Sequence, residues 1–265
     1  MAKIHPSAVV ESGAQLASDV EVGPMCYVGP NVIIGSGTKL ISQCYVGGYT
    51  TIGENNVFYP FSSVGTPAED FAYSGGKCMV TIGDNGIFRE GITINAGTGD
   101  NTETVLGNQV FMMANSHVAH NCIIGNSVVL VCGALLAGYV EVQDRAFISG
   151  LCAVHQFCKV GRLAILSGGS LFSKDIPPFM MAEGRNGGVK MVNIVGLRRA
   201  GFERETIRII QDLHKIVFRS GLILSKAYEK CRAELPPIPE VDEFIKFAES
   251  SKRGILTNRE DGHRD

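Results

Sequence analysis

Residues 4–16 read Ile4-His5-Pro6-Ser7-Ala8-Val9-Val10-Glu11-Ser12-Gly13-Ala14-Gln15-Leu16, and every sixth residue from Ile4 is aliphatic. The same step of six, continued to Phe172, meets Ile, Val, Leu, Met or Phe at 26 of 29 positions. This period fits neither an α-helix nor a simple alternating strand, but it is typical of short strands joined by tight corners. The repeat therefore predicts a parallel β-helix in which each hexad forms one face.

The numbering also predicts which residues stack. If three hexads complete a coil, residue n lies beneath residue n+18, separated by the strand spacing of about 4.8 Å. Cys26, Cys44 and Ser62 then form one inward column of small residues, as a narrow interior requires. At that spacing, about ten coils fit between residues 4 and 177.

Three positions break the period, and they fall in two stretches. Asp70 and Gly76 lie in residues 67–79, and Asp100 lies in residues 99–103. Both stretches are predicted to be loops that leave the prism. Loops on a rigid scaffold commonly carry binding residues, although spacers without function are the alternative.

Composition indicates a large globular core, with 45% hydrophobic residues and 32 glycines in 265 residues. No secretory signal follows Met1, and the longest apolar runs are too short to span a bilayer, so we expect a cytoplasmic protein without a transmembrane segment. Residues 190–265 carry 15 Lys/Arg against 12 Asp/Glu. An excess of three charges is too weak to indicate a nucleic-acid partner.

The eight cysteines contain no C-x-x-C pair. Five of them occupy the small inward position of the repeat: Cys26, Cys44, Cys122, Cys152 and Cys158. We therefore expect inert core residues rather than disulfides or zinc ligands, with the exposure of Cys78 and Cys231 left open.

The repeat ends at Asp175-Ile176-Pro177-Pro178, because two prolines cannot continue a paired coil. We predict a β-helix domain over residues 1–178, a connector over 179–201 and an α-helical domain over 202–265. Amphipathic patterns begin near residues 202, 224 and 241, and these helices are expected to cap the open end of the prism.

Two histidine segments fall on one side of successive coils. His117 and His120 belong to one segment and His155 to the other. Adding eighteen to 120 gives Gly138 and then Gln156, so the position next to His120 is open. A histidine beside an unobstructed glycine N–H suits acyl transfer, because the imidazole accepts a hydroxyl proton while the N–H stabilises an oxyanion.

No serine or cysteine nucleophile is evident near His120. This favours direct attack by an acceptor hydroxyl over a covalent acyl-enzyme. From the chemistry alone, a hydrogen-bonded structural histidine is an equal alternative.

Five segments are more distinctive than the repeat: Ile4-His5-Pro6-Ser7-Ala8, His117-Val118-Ala119-His120-Asn121-Cys122, Ala153-Val154-His155-Gln156-Phe157-Cys158, Asp175-Ile176-Pro177-Pro178, and residues 193–202 with Gly196-Leu197-Arg198-Arg199. Together they closely resemble the UDP-N-acetylglucosamine 3-O-acyltransferase family, the acyl-carrier-protein-dependent enzymes that open lipid A synthesis. The resemblance covers almost the whole chain.

This resemblance implies a left-handed β-helix, which periodicity alone does not reveal, and a homotrimer with sites between subunits. The donor would be acyl carrier protein bearing a 3-hydroxyacyl thioester, the acceptor a UDP-sugar, with neither cofactor nor resident metal. His120 would be the general base for the sugar 3-hydroxyl, and the Gly138 N–H would stabilise the thioester oxyanion.

The resemblance also implies further substrate contacts. Sugar, phosphates or acyl chain would contact Asp70, His117, His155 and Gln156. The nucleotide would lie near Asn193 and Arg199. Gly168 matches the position that limits acyl length, and a glycine there leaves room for a long 3-hydroxyacyl chain.

Several residues depart from the family pattern. Asn95 and Ala96 replace a histidine and a cation, Ala72 a lysine, Tyr139 a histidine, Val195 a glutamate and Ala200 an arginine. The base and oxyanion positions match, whereas several acceptor-side positions do not. A 3-amino UDP-sugar, or an acceptor outside lipid A, is therefore an open alternative.

Three rival interpretations remain at this point. The nearest is a hexapeptide-repeat transferase with another acceptor or an acyl-CoA donor. A β-helical zinc carbonic anhydrase would need three histidine ligands, and the spacing of His117, His120 and His155 does not resemble that pattern. A non-catalytic scaffold would also explain the repeat, because stacking alone accounts for it.

Overall fold

A computed structural model describes residues 1–184 and 187–258, which form a three-sided parallel β-helix followed by α-helices. The first fourteen strands are β1 (Lys3–Ile4), β2 (Val9–Val10), β3 (Gln15–Leu16), β4 (Glu21–Val22), β5 (Tyr27–Val28), β6 (Ile33–Ile34), β7 (Lys39–Leu40), β8 (Tyr45–Val46), β9 (Tyr49–Ile52), β10 (Val57–Phe58), β11 (Ser63–Thr66), β12 (Met79–Ile82), β13 (Ile87–Phe88) and β14 (Thr93–Asn95).

The remaining strands are β15 (Glu103–Leu106), β16 (Phe111–Met112), β17 (His117–Val118), β18 (Ile123–Ile124), β19 (Val129–Leu130), β20 (Leu135–Leu136), β21 (Glu141–Val142), β22 (Phe147–Ile148), β23 (Ala153–Val154), β24 (Lys159–Val160), β25 (Ile165–Leu166), β26 (Leu171–Phe172), β27 (Met180–Glu183) and β28 (Gly188–Val192). The helices are α1 (Ile194–Arg199), α2 (Arg204–Arg219), α3 (Leu224–Glu234) and α4 (Pro239–Glu249).

The strands form three sheets, one for each face of the prism. Sheet one runs from β1 through every third strand to β25 and ends with β27 and β28. Sheet two runs from β2 to β26, and sheet three from β3 to β24. Pairing is parallel within the coils, as a β-helix requires, and antiparallel between β27 and β28.

The predicted offset of eighteen residues is confirmed along most of the prism. Lys3 pairs with Glu21, for example, and Leu135 with Ala153. Across the two loops the offset becomes 79 − 49 = 30 residues and 103 − 79 = 24 residues. These values exceed 18 by 12 and by 6. Each loop therefore inserts whole hexads, which is why the six-residue phase never slips.

The two predicted loops leave the prism where the aliphatic steps stop. The first lies between β11 and β12, and the second lies between β14 and β15. The second loop begins at Ala96, three residues earlier than predicted. Met79 and Glu103, placed in the loops by sequence, instead pair with each other as the first residues of β12 and β15.

The small inward residues are buried as predicted. Cys26, Cys44 and Ser62 are each 2% exposed. Cys78 and Cys231, whose exposure the sequence left open, are buried free thiols, whereas Cys132 is exposed. Burial raises the pKa of Cys122 to about 12 and that of Cys231 to about 11, which keeps these thiols unreactive.

The tight corners of the coils do not all use glycine, although glycine adopts positive φ most readily. Many corner residues with positive φ are not glycine: Met25, Phe61, Asn85, Gln109, Asn115, Asn121, Ser127, Tyr139, Arg145, Leu151, Phe157 and Leu163. L-residues disfavour this left-handed conformation, so the stacked coils on both sides must stabilise it. The corner between sheets two and three includes Asn121, Tyr139 and Phe157.

The predicted connector over residues 179–201 contains regular structure. Its strand β27 pairs with β25 and extends sheet one, and β28 turns back along β27. Helix α1 follows, with Asn193 as its N-cap. The domain boundaries stay predictions, and residues 259–265 of the predicted helical domain lie outside the described residues.

The three longer helices lie where the amphipathic patterns predicted them, and their apolar faces join the prism core. Val160, Phe179, Leu213 and Phe244 belong to one buried cluster. The residues after α4 return to the prism, where Ile255 forms a parallel β-bridge with Asp175. Asp175 is 1% exposed. The carboxylate of Asp175 accepts hydrogen bonds from the Lys159 N–H at 2.8 Å and the Ser251 hydroxyl at 2.6 Å.

His214 in α2 makes the helical domain sensitive to acid. Its side chain is buried and its Nε2 has no partner among the described residues. Burial lowers the pKa of His214, and the nearby charges of Arg219 and Lys215 lower it further. The unfolded value is about 6.5, so stability is complete above that pH and falls as pH drops towards the lower folded pKa.

We expect His214→Leu to lose less thermal stability than wild type between about pH 7.5 and about pH 5.5, because no buried imidazole then has to take up a proton. His117, whose pKa burial also lowers, will leave part of the acid dependence in place. Thermal unfolding at both pH values measures the difference. The exposed His5→Leu is the matched control, and an equal fall in Tm for His214→Leu and wild type would refute the assignment.

Candidate active site

His120 lies at the corner between sheets two and three, directly over Gly138 of the next coil. A Cβ built on Gly138 would lie 2.3 Å from His120 Cε1 and 2.4 Å from Nε2. The predicted adjacency of His120 and Gly138 is therefore confirmed, and only glycine leaves space for the ring. The corner is held by the Tyr139 N–H, which donates to the His120 carbonyl at 3.0 Å.

The Gly138 N–H donates to no group among the described residues. Its carbonyl, by contrast, accepts the Phe157 N–H of the following coil at 3.1 Å. A backbone donor without an acceptor, beside a histidine, is the arrangement that an oxyanion site needs.

Both ring nitrogens of His120 have a partner. Nδ1 lies 3.0 Å from Asn121 Oδ1, and Nε2 lies 3.3 Å from Asp70 Oδ2. His120 is 4% exposed. The structure thus brings the loop residue Asp70 to the histidine, although 50 residues separate them in sequence.

The loop that carries Asp70 is shaped by short local bonds. Asp70 Oδ1 accepts the Ala72 N–H at 2.8 Å, which leaves Oδ2 to face His120. At the base of the loop, Asn95 Nδ2 donates to Thr66 Oγ1 at 3.0 Å and to the Pro67 carbonyl at 3.2 Å. These bonds direct the loop back over the face of the prism.

The departures at Asn95 and Ala96 therefore have a local structural effect. Both side chains are buried, so neither faces solvent. Asn95 Oδ1 is buried without a partner among the described residues.

His117 stands beside His120 on the same outer face. Its Nδ1 lies 2.7 Å from the Thr93 hydroxyl of the preceding coil. Burial lowers the pKa of His117, while the charge of Glu69 opposes this shift. The His117 imidazole is therefore neutral near neutral pH, with one ring nitrogen able to donate a hydrogen bond and the other able to accept one.

These residues line a cavity of about 410 Å³. Among its lining residues are Glu69, Asp70, His117, His120, Gly138 and Gln156. A second cavity of about 460 Å³ includes His155, Leu171, Phe172 and Leu256. The two cavities share Ala137, Ala153 and Val154, so His155 and Gln156 lie on one continuous surface with His120.

The remaining predicted contacts lie elsewhere in the chain. Gly168 sits at a corner where a Cβ would meet Gly150 O at 3.5 Å, an ordinary contact, so a methyl group would fit there without a clash. Asn193 is buried, accepts the Gly196 N–H and donates to the Leu163 carbonyl. Arg199 is the exposed last residue of α1. Their contacts with substrate stay predictions.

Sequence reasoning missed three residues around His120. The sequence alone assigns no role to Asn121, Glu69 or Thr98. Thr98 Oγ1 lies 3.0 Å from both Asn121 Oδ1 and the Tyr139 hydroxyl. The stacking rule could not find Thr98, because it lies in the second loop, where the numbering offset changes.

The described ranges 1–184 and 187–258 hold neither a metal-ligand cluster nor a membrane-spanning helix. No three His, Cys, Asp or Glu side chains come together there in a metal-ligand arrangement. No helix in those ranges is long and apolar enough to cross a membrane.

Comparison with known proteins shows a consistent set of relatives. A Stutzerimonas stutzeri protein named acyl-[acyl-carrier-protein]--UDP-N-acetylglucosamine O-acyltransferase is 41% identical over 96% of this chain and 99% of its own. A protein of the same name from Pseudomonas putida is 44% identical with the same coverage. Residues 175–256 match the family described as UDP N-acetylglucosamine O-acyltransferase, domain 2.

Solved structures agree with these relatives. The UDP-N-acetylglucosamine acyltransferase of Bacteroides fragilis superposes with a TM-score of 0.92 at 37% identity, covering 95% of this chain and 99% of that one. The enzyme from Campylobacter jejuni gives 0.90 at 37% identity, covering 97% and 100%. The predicted left-handed β-helix is confirmed by this similarity. The chain is an acyltransferase and belongs to the acyl-[acyl-carrier-protein]--UDP-N-acetylglucosamine O-acyltransferase family.

Proposed function

We propose that this protein transfers a 3-hydroxyacyl chain from acyl carrier protein to the 3-position of UDP-N-acetylglucosamine, the first step of lipid A biosynthesis. The observation that carries the proposal is the His120 ring lying over Gly138, whose N–H has no acceptor among the described residues. The names of the relatives supply the donor and the acceptor.

In this mechanism His120 Nε2 takes the proton of the acceptor hydroxyl as its oxygen attacks the thioester carbon. The carbonyl π electrons move onto oxygen, and the Gly138 N–H donates to that oxyanion. Collapse of the intermediate breaks the C–S bond. The imidazolium then returns the proton to the leaving thiolate, so His120 ends the cycle neutral.

Asp70 and His117 support this chemistry from either side. The Asp70 carboxylate, 3.3 Å from Nε2, pairs with the imidazolium while it exists. His117 is kept neutral by burial and fixed by Thr93, so it serves as a hydrogen-bonding group for the sugar rather than a second charge.

We further propose that the protein works as a homotrimer with sites between subunits. Support comes from the distribution of the predicted contacts, because Gly168, Asn193 and Arg199 do not line the cavity that holds His120. A neighbouring subunit would bring its Arg199 to the nucleotide phosphates, where a guanidinium makes charge-assisted hydrogen bonds.

The first test is an acylation assay with long-chain 3-hydroxyacyl-acyl-carrier-protein, offering UDP-N-acetylglucosamine and its 3-amino analogue separately. We expect product with UDP-N-acetylglucosamine, and His120→Ala should lower kcat at least about 100-fold, because the general base is lost. The matched control is the exposed His5→Ala. Near-wild-type turnover by His120→Ala would show that the base is another group, and product with the amino sugar alone would change the acceptor.

A second variant tests the packing of His120 against Gly138. Gly138→Ala should lower kcat at least about 100-fold, because the new methyl group would displace the His120 ring and disturb the N–H beside it. Gly29→Ala is the matched control, since its Cβ would meet its nearest neighbours at 3.4 Å or more. Equal Tm values would show that both variants fold. Full activity in Gly138→Ala would contradict the proposed geometry.

Hybrid trimers test whether one site draws on two subunits. His120→Ala and Arg199→Ala subunits, each weak alone, should regain activity when co-refolded, because a mixed trimer holds one site with both residues intact. We expect Arg199→Ala alone to lose roughly 10- to 100-fold in kcat/KM. If both residues served the same chain's site, every mixed trimer would stay inactive. Sedimentation of each preparation checks the trimer itself.

A further inference from the structure

Three hydrogen-bonding groups face the side-chain oxygen of Asn121. It lies 3.1 Å from the Thr98 N–H, 3.0 Å from the Thr98 hydroxyl and 3.0 Å from His120 Nδ1. A backbone N–H can only donate, so the atom facing it must be the amide oxygen and not the amide nitrogen. This contact identifies which atom of the Asn121 amide faces Thr98 and His120.

The same oxygen determines where the protons of its neighbours lie. Because Asn121 Oδ1 carries no hydrogen, His120 Nδ1 must donate to it. The Thr98 hydroxyl must also donate to it, and the Tyr139 hydroxyl, 3.0 Å from Thr98 Oγ1, must then donate to Thr98. A single chain of donors therefore runs from Tyr139 through Thr98 to Asn121.

An amide in this position needs such a lock. A carboxylate would accept a hydrogen bond from His120 Nδ1–H in either orientation, because both of its oxygens are acceptors. An amide rotated by half a turn would instead present its NH₂ group to His120 and favour the opposite tautomer. Only the Nδ1–H tautomer leaves the lone pair on Nε2. The Asp70 carboxylate, 3.3 Å from Nε2, can only accept a hydrogen bond and so favours the opposite tautomer, which the Asn121 contact has to outweigh.

Tyr139 is also placed to hold the imidazole plane. Its ring meets the His120 ring edge-on at 5.3 Å and 86°, and it stacks on Phe157 at 4.9 Å and 21°. The Tyr139 backbone adopts a left-handed φ of 59°, a conformation that Tyr disfavours and that directs the ring to this place. This is also a position at which the sequence departs from the family pattern.

We propose that Tyr139 is a positioning residue, which acts through Thr98 and Asn121 to hold His120 in the Nδ1–H tautomer. Its role in turnover rests on the proposed function, in which His120 is the base. Its role in setting the tautomer does not, and the two can be measured apart.

The tautomer is measured by ¹⁵N NMR of the substrate-free protein labelled at histidine, with the His120 signals assigned by their loss in His120→Gln. In wild type we expect a protonated Nδ1 and an unprotonated Nε2. In Tyr139→Phe and Thr98→Val, both ¹⁵N shifts should move towards the values of a tautomer mixture. An Nε2–H tautomer in wild type, or unchanged shifts in both variants, would overturn the proposal.

Kinetics supply the second reading. Tyr139→Phe should lower kcat about three- to tenfold, the range expected for one hydrogen bond, with KM for the sugar nucleotide unchanged. The matched control is Tyr27→Phe, which lies in β5, several coils away from His120, and should leave kcat unaltered. A raised KM with unchanged kcat would mean that Tyr139 binds substrate instead.

The conservative rescue is Asn121→Asp. A carboxylate needs no lock, so adding Tyr139→Phe to Asn121→Asp should change kcat less than about twofold. An undiminished three- to tenfold loss in that background would contradict the relay through Asn121. If His120→Ala proves active, the proposed base is wrong. The NMR measurement of the His120 tautomer does not depend on that result.

Discussion

The structure depends on the backbone hydrogen bonds that join each coil to the next at a fixed residue offset. These bonds put the residue at one corner directly over its counterpart in the next coil, whatever the side chains are. Tyr139 N–H to the His120 carbonyl and Phe157 N–H to the Gly138 carbonyl are two consecutive examples. The candidate site is a direct result, because the same register lays the His120 ring over a glycine. The arrangement of the candidate site is therefore set mainly by the stacking of the coils.

That dependence explains what could be predicted. The period of six is exact, so the β-helix, the inward cysteine column and the His120–Gly138 pair followed from residue numbers alone. The amphipathic helices followed equally, because α2 to α4 each bury a stripe of regularly spaced apolar residues. Handedness needed the family resemblance, since a period states how long a face is and not which way the chain winds.

Other features were beyond the sequence for physical reasons. The Asp70–His120 contact depends on how a loop of a dozen inserted residues folds back, and no periodic rule describes that path. The bond between Thr98 and Asn121 crosses the second loop in the same way. The strand pair β27 and β28 was missed because two prolines signalled an end to the coil, although β27 rejoins sheet one immediately afterwards. Asn193 caps helix α1 within this chain, and its contact with a nucleotide stays a prediction.

The two loops insert 12 and 6 residues without disturbing the coils on either side. The prism therefore separates two kinds of evolutionary change. A loop can exchange residues such as Ala72 or Phe71, or lengthen by whole hexads, while His120 and Gly138 stay where the coils hold them. The loops are then free to diverge faster than the coils, and a family built on this scaffold can change the surroundings of the His120–Gly138 pair without moving the pair itself.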